Sequence, residues 1–375
     1  MKHIERYETV IVGGGQAGLS VGYHLKKHGH AFAILDASTR IGDSWRNRWD
    51  SLRLYSPAVR DGLPGMPFPA PRTAYPTKDE MGDYLEAYAM RFELPVRSGA
   101  AVEMLAKANG RYVATAGGRR FEADNVVVAT GVFQRPYRPE FAHELDPSIV
   151  QLHSSDYRNL SQLQDGPVLV VGAAHSGSDI AHEAAASHDV ILSGTDTGQI
   201  PVPIESRRGR MFLRALLFAG THVLNADTPM GRKMRPHVRH GGGPLLRYRK
   251  QDLRAAGVER VYARTAGSER GLPMLDDGRV LDVRNVVWCT GYRPDFRWIR
   301  VPFELDEDGF PVQYRGVVAS SPGLYFTGLP FLHSFASMLI AGSGRDAERV
   351  ARHILEKRAP EPAARPHELT LAAAS

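Results

Sequence analysis

At 375 residues, 43% of them hydrophobic, the chain has the length and apolar content of two domains with ordinary cores. Its single cysteine, Cys289, excludes a disulfide framework, a Cys-x-x-Cys redox pair and a cysteine-built zinc site, and its apolar strand setting reads as a buried, inert thiol. The net charge of +6 is concentrated: Arg207 to Lys250 holds eleven Lys or Arg against one acid, Asp227, so a phosphate-binding or a merely solvated basic face belongs to one segment.

The first glycine run starts at Gly13, so no cleaved leader is expected ahead of the fold. The apolar stretches Met211–Leu224 and Leu329–Ile340 are too short or too interrupted to span a bilayer, so a cytoplasmic protein is expected. In chain order come strand Glu8–Val12, a glycine turn, helix Gln16–His28 and strand Ala31–Asp36. The loop Gly42–Trp49 and the proline-punctuated stretch Pro57–Pro76 are expected to wall a site. Thr77 and Glu80 form a capping box, after which Met81, Tyr84, Leu85, Tyr88 and Phe92 recur at helical spacing as a core stripe. A β-meander turning at Asn109-Gly110 delivers a strand that ends at Ala129-Thr-Gly131.

The same order then repeats about 160 residues on. Strand Val168–Val171, a glycine turn, a helix from Ser176 and strand Val190–Ser193 precede a basic helical insert at about 200–250. A second meander turning at Asp277-Gly278 leads to Thr290-Gly291. From Pro294 to about Leu355 the chain is expected to return to the first domain, ending in a helix after Gly342 and Gly344, with 358–375 as a frayed tail. The expected fold class is α/β with two Rossmann-like dinucleotide-binding domains in a glutathione-reductase-like arrangement, the NADP domain inserted in the FAD domain. Its divisions are 1–160 and 292–357 for FAD and 161–291 for NADP.

Gly13-x-Gly15-x-x-Gly18 supplies a tight turn, an approach for a pyrophosphate and close helix packing, with Gln16 and Ala17 opening the helix at its positive end. Asp36, 23 residues after Gly13, ends the next strand where a carboxylate accepts ribose hydroxyls, and Thr130-Gly131 closes the unit. This site suits FAD, with Trp45 in the tryptophan loop as a flavin neighbour. The second motif, Gly172, Ser176 and Gly177, has Ala174 in the middle-glycine place and Thr195 at the acid's offset, and closes at Thr290-Gly291. Without that acid the site need not repel a 2′-phosphate, which Thr195 with Arg207 or Arg208 could bind. Asp196 argues the other way; the balance favours NADPH over NADH. His175 faces the NADP site by position, and no spacing suggests a metal. Electrons would pass from NADPH to FAD, and without a cysteine pair the next acceptor is oxygen, a quinone or a carrier protein.

Longer matches carry a resemblance: Trp49-Asp-Ser-Leu-Arg-Leu54, Leu63-Pro-Gly-Met-Pro-Phe-Pro69, Tyr75-Pro-Thr77, Tyr84-Leu-Glu-Ala-Tyr88, Cys289-Thr-Gly-Tyr292, Gly323-Leu-Tyr-Phe-Thr-Gly-Leu329 and Gly342-Ser-Gly-Arg-Asp346. With the double glycine motif, the sequence resembles class B flavin-dependent monooxygenases, especially the YUCCA-like branch and its bacterial relatives. The resemblance implies that NADPH reduces FAD, that oxygen adds at flavin C4a, and that bound NADP⁺ shelters the (hydro)peroxyflavin until a small organic substrate takes one oxygen atom. Of the family pattern Phe-x-Gly-x-x-x-His followed by an aromatic residue, the chain keeps His153 and Tyr157, but Pro147 and Ile149 replace Phe and Gly. That departure keeps a non-oxygenating NAD(P)H:acceptor reductase open as an alternative, with a redox-sensing flavoprotein as a third reading. Tyr55 stands where many N- and S-oxygenating relatives carry a flavin-contacting asparagine; Tyr55 and His153 are the candidate catalytic residues. Expected partners are a small molecule and O2, with no nucleic acid and no membrane; a homodimer is possible.

Overall fold

The computed structural model describes residues 4–358, so the tail expected at 358–375 lies, apart from Arg358, outside the described residues. Two sheets organise the chain. The first runs, strand by strand, Val96–Arg97, Phe32–Leu35, Ile4–Val12, Arg119–Val128, Arg111–Ala116 and Val102–Ala108. Arg119–Val128 uses one edge twice: its first half pairs antiparallel with Arg111–Ala116, its last three residues pair parallel with the returning Leu324–Phe326. The second sheet is wholly parallel, in the order Glu259–Val261, Val190–Ser193, Val168–Val171, Asn285–Trp288, Val150–His153. Parallel strands covered on both faces read as unbroken apolar runs, and Phe32–Leu35 and Val168–Val171 are buried at every residue.

Because Val150–His153 pairs with Asn285–Trp288, the crossing into the second sheet falls before residue 150, earlier than the expected 161. The two crossings are tied to each other by the antiparallel pair Arg135–Pro136 with Tyr292–Arg293. The glycine-turn helix Gln16–Lys27 forms as expected, and so does the capping box, in which the Thr77 hydroxyl accepts from the Glu80 amide at 3.1 Å and the Glu80 carboxylate from the Thr77 amide at 2.7 Å. On the helix that follows, Lys78–Arg91, the buried Tyr84 and Tyr88 donate their hydroxyls to the Met66 and Pro64 carbonyls, each at 2.7 Å, which pins the proline stretch to the core.

Asn109-Gly110 turns its hairpin with φ of 51° and 81°, the left-handed pair that such two-residue turns require. In the second meander the hairpin Thr265–Glu269 to Leu272–Leu275 turns instead at Arg270-Gly271, with φ of 51° and 79°, and Asp277-Gly278 makes a later turn back to Val280. The last helix, Ile340–Arg358, begins before its glycines rather than after them: a Cβ on Gly342 would stand 1.9 Å from the Ala336 carbonyl oxygen, so that glycine is a packing site inside the first turn. The basic insert folds as helices Arg207–His222 and Pro229–His240, with Lys250–Ala255 leading out of it. Among the described residues no helix is long and apolar enough to cross a membrane.

The proline stretch lines an open cavity of about 550 Å³ with Ala341, and beside that lining it buries a carboxyl. Asp61 is fully buried, hydrogen-bonded to the Ser56 hydroxyl, and burial pushes its pKa up from 3.8 to about 7. A raised folded-state pKa means the native state holds a proton the unfolded chain releases, so stability falls as pH climbs from about 4 to about 7, by about 4 kcal/mol in total. Asp61→Asn should therefore raise the thermal midpoint clearly at about pH 8 and hardly at about pH 4. An equal shift at both pH values would show that Asp61 carries no such penalty.

Candidate functional site

The two glycine turns have one geometry. At the first, Gly13 has φ +110° and a Cβ there would meet the Ala129 carbonyl oxygen at 2.6 Å; a Cβ on Gly18 would meet the Gly13 carbonyl oxygen at 1.9 Å. At the second, Gly172 has φ +105° with the Cys289 carbonyl oxygen at 2.4 Å, and Gly177 faces the Gly172 carbonyl oxygen at 1.7 Å. In both places only glycine lets strand, turn and helix close this tightly. Each turn sits at the carboxyl ends of its parallel strands, where open α/β sheets take their ligands.

Gly15 differs from its neighbours: a Cβ on it would meet nothing within 4 Å, so this residue borders open space. No side chain caps the helix it begins, and the first helical bond is Leu19 N–H to the Gly15 carbonyl at 3.0 Å. The amides of Gln16, Ala17 and Gly18 thus lack helical partners at the positive end of the dipole, which is what a pyrophosphate needs. Asp36 closes this cradle, accepting from the amides of Gly14 at 2.5 Å and Ser38 at 2.8 Å. Across the turn, Gln134 donates to the Thr130 hydroxyl at 2.9 Å and the Gly131 carbonyl at 2.7 Å, fixing that pair at the strand end. Thr327 and Gly328 end the returning strand at the same place, since a Cβ on Gly328 would meet that of Ala17 at 2.9 Å. The Thr327 hydroxyl is wholly buried with no protein partner. Thr327 lies in the Gly323–Leu329 match but not among the expected site residues, and its one sequence signal is the glycine that follows it.

The second cradle is covered rather than open. A Cβ on Gly242 would meet the Ala174 Cβ at 2.7 Å, one on Gly243 would meet His175 Cε1 at 2.6 Å, and His175 Nε2 bonds the Pro244 carbonyl at 2.8 Å. The loop after the insert therefore lies on the second turn, a contact between positions some 70 residues apart. His175 is held there, with burial lowering its pKa. The Ser176 and Gly177 amides open the helix His175–Ala184, whose first bond runs from Ser178 to the Ala174 carbonyl at 2.9 Å. Thr195 is exposed at the end of its strand, and Arg260 spends its guanidinium on the carbonyls of Gly194 (2.6 Å) and Thr195 (3.1 Å). Lys250 pairs with Asp196, which neutralises the acid beside Thr195. Arg207 and Arg208 instead start the insert's first helix, exposed, and among the described residues no ion pair or hydrogen bond joins them to the Thr195 turn.

Of the two candidate catalytic residues, His153 is fully buried with both nitrogens engaged: Nδ1 accepts from the Ser155 amide at 3.0 Å, so Nε2 donates to the Gly291 carbonyl at 3.0 Å. Burial holds its pKa below the usual range. A neutral imidazole with a fixed tautomer pins the Thr290-Gly291 turn. Tyr55 donates to Asp179 Oδ2 at 2.9 Å, on the second glycine helix, and lies 5.0 Å from the His175 ring. Arg247 completes the group, with Nη1 4.0 Å from Asp179, Nη2 donating to the Leu54 carbonyl at 3.0 Å, and its guanidinium 5.5 Å from the Tyr55 ring centre. Burial raises the Asp179 pKa to about 6 against the pull of Arg247 and Tyr55, and it keeps Tyr55 a phenol. Trp45, half-buried in the short helix Asp43–Arg46, packs against both the core beneath the first turn and the core of the second sheet. Cys289 is half-buried beneath the second turn, and burial with nearby Asp179 pushes its thiol pKa up, so it stays protonated.

Two glycine turns of one design, bridged by the contacts of Tyr55 and Trp45 in a chain with a single cysteine, are the features of a flavoprotein oxidoreductase. Residues 10–199 match the model of the pyridine nucleotide-disulphide oxidoreductase family. An uncharacterized CzcO-like oxidoreductase of Geobacillus kaustophilus is 39% identical over 95% of this chain and 99% of its own. The probable indole-3-pyruvate monooxygenase YUCCA7 of Arabidopsis thaliana is 29% identical over 92% of this chain and 86% of its own. The flavin-containing monooxygenase of Stenotrophomonas maltophilia superposes with a TM-score of 0.75 at 26% identity, over 95% of this chain and all of that one. The chain belongs to the pyridine nucleotide-disulphide oxidoreductase family and, within it, to the class B flavin-dependent monooxygenases.

Proposed function

We propose that the chain is an FAD- and NADPH-dependent monooxygenase that places one atom of O2 in a small organic substrate. The observation that supports this most is the pair of matching glycine turns, one with an acid at the ribose position and one without. FAD would be held by Gly13, Gly15, Gln16, Ala17, Gly18, Asp36, Thr130 and Gly131, with the orphaned Thr327 hydroxyl as a further donor and Trp45 alongside. The nicotinamide nucleotide would be held by Gly172, Ser176, Gly177, Thr195, Thr290 and Gly291. On this reading the FAD domain comprises residues before about 150 and after 292, and the NADP domain with its insert lies between. When bound, the flavin supplies oxygen activation and the nicotinamide supplies hydride. The protein's own work is positioning and exclusion of water: His153 sets the Thr290-Gly291 turn, and the loop Gly241–Pro244 covers the second cradle.

Anaerobic reduction by NADPH followed by mixing with oxygenated buffer tests this. Expected is slow return to oxidised flavin while NADP⁺ stays bound, with little hydrogen peroxide released. Immediate stoichiometric peroxide would instead favour the acceptor reductase. For the 2′-phosphate, the placement favours Lys250 over Arg207 and Arg208. Lys250→Met should raise the NADPH Michaelis constant roughly tenfold, the scale of one charge-assisted hydrogen bond, and leave that for NADH nearly unchanged. If the Arg207→Ala/Arg208→Ala double variant shows that discrimination and Lys250→Met does not, the phosphate lies at the insert helix.

A further inference from the structure

The insert's first helix, Arg207–His222, buries only Gly209 and Gly220. These two lie on one face, where a Cβ on Gly220 would meet the Phe335 ring at 2.7 Å. The opposite face carries Met211, Ala215 and Phe218, spaced four and three residues apart so that they form one ridge. Met211 is 62% exposed and Phe218 66%, whereas large apolar side chains set in a ridge are ordinarily covered. Arg207, Arg208 and Arg214 flank the ridge, and the next helix adds exposed Met230 with Arg232 and Lys233. Among the described residues no carboxylate pairs with Arg207, Arg208, Arg214 or Lys233, and the one acid between Arg207 and Lys250, Asp227, is engaged by Arg315 at 2.8 Å. The platform is firm, because Ala226 N–H bonds the His333 carbonyl at 2.7 Å and Phe335 N–H the Leu224 carbonyl at 2.9 Å, stitching the insert to the returning segment.

We propose that this ridge docks on an anionic lipid surface, lying in the plane of the headgroups with Met211 and Phe218 inserted and the arginines on phosphates. An apolar stripe bordered by uncompensated cations is the pattern of an interfacial helix. A second copy of the chain fits less well: a twofold interface sets the patch against itself and would bring three arginines against their own counterparts. The proposal is independent of the oxygenase reading and departs from the sequence expectation of no membrane partner, since the contact is peripheral rather than spanning.

The test is co-sedimentation of the full chain with phosphatidylcholine vesicles with and without phosphatidylglycerol, with mass photometry alongside. Binding is expected only to the anionic vesicles and should fall with salt. Neutralising Arg207, Arg208 and Arg214 to Gln should weaken it on the order of 100-fold, and Met211→Glu/Phe218→Glu should abolish it with the thermal midpoint unchanged. Absence of binding to anionic vesicles at low salt overturns the proposal, as does undiminished binding by the Met211→Glu/Phe218→Glu variant. A dimer that Phe218→Glu dissociates overturns it too, assigning the ridge to a second copy.

Discussion

Replacing Asp179 with alanine should destabilise the protein by about 3–5 kcal/mol, more than replacing its partner Arg247 with methionine. The asymmetry follows from what each survivor can do. Arg247, its side chain 10% exposed, cannot shed its charge, and without Asp179 it would keep only the Leu54 carbonyl and the Tyr55 ring face. Asp179, its side chain 4% exposed and already at a pKa of about 6, can take up a proton when Arg247 is lost. That escape limits its cost to about 1–2 kcal/mol near neutral pH, for a shift of roughly one further unit. The sign with pH is also set: a raised folded-state pKa makes the unpaired carboxyl costlier as pH rises, so the Arg247→Met deficit should grow between about pH 6 and about pH 8. Urea midpoints followed by tryptophan fluorescence across that range would check both statements. Equal losses for the two variants, or an Arg247→Met deficit that shrinks with pH, would mean that the pair is not coupled in the way its geometry implies.

The contrast between Tyr55 and the glycine turns shows which parts of this molecule its sequence could reveal. Gly13, Gly18, Gly172 and Gly177 were legible because a positive φ or a carbonyl oxygen at 1.7–2.6 Å leaves no other residue possible, and that constraint is local. The capping box at Thr77 and the hairpin at Asn109-Gly110 are equally local, and they form as read. Arg270-Gly271 is not legible as a turn, because an arginine in the left-handed region carries no turn signal, while the more conspicuous Asp277-Gly278 stands a few residues away. Val150–His153 is not legible either, because four residues with a glutamine and a histidine among them become a strand only through the edge they find on Asn285–Trp288. Tyr55 meets Asp179 across 124 residues, and the loop at Gly242 and Gly243 settles on a turn formed by Ala174 and His175. Nothing in either segment encodes its partner. The family resemblance gave Tyr55 a place beside the flavin; the hydrogen bond ties its hydroxyl to the helix of the other cradle.

The two cradles should be separable by single methyl-scale changes at matching positions. Gly15 and Ala174 are the N-cap residues of the two glycine helices, with φ of −78° and −93°, so neither backbone forbids a side chain. At Gly15 a Cβ would enter open space, and a valine there should therefore fold but occupy the approach of the pyrophosphate. Gly15→Val is expected to purify colourless with an unchanged far-ultraviolet spectrum, whereas Gly18→Val, whose Cβ would overlap the Gly13 carbonyl oxygen at 1.9 Å, should not fold at all. Ala174→Val adds two carbons at the second turn, one fewer than Gly15→Val adds at the first, but there the Gly242 loop already presses. It should purify yellow at full flavin content and lose reduction by NADPH, with a dissociation constant raised on the order of 100-fold, the scale of forcing one or two methyl groups into a packed contact. A yellow Gly15→Val protein would remove FAD from the first cradle. If Ala174→Val lost its flavin while Gly15→Val kept it, the two nucleotides would be assigned to the wrong turns, and the acid at Asp36 would have to be explained as a ribose partner of the nicotinamide nucleotide.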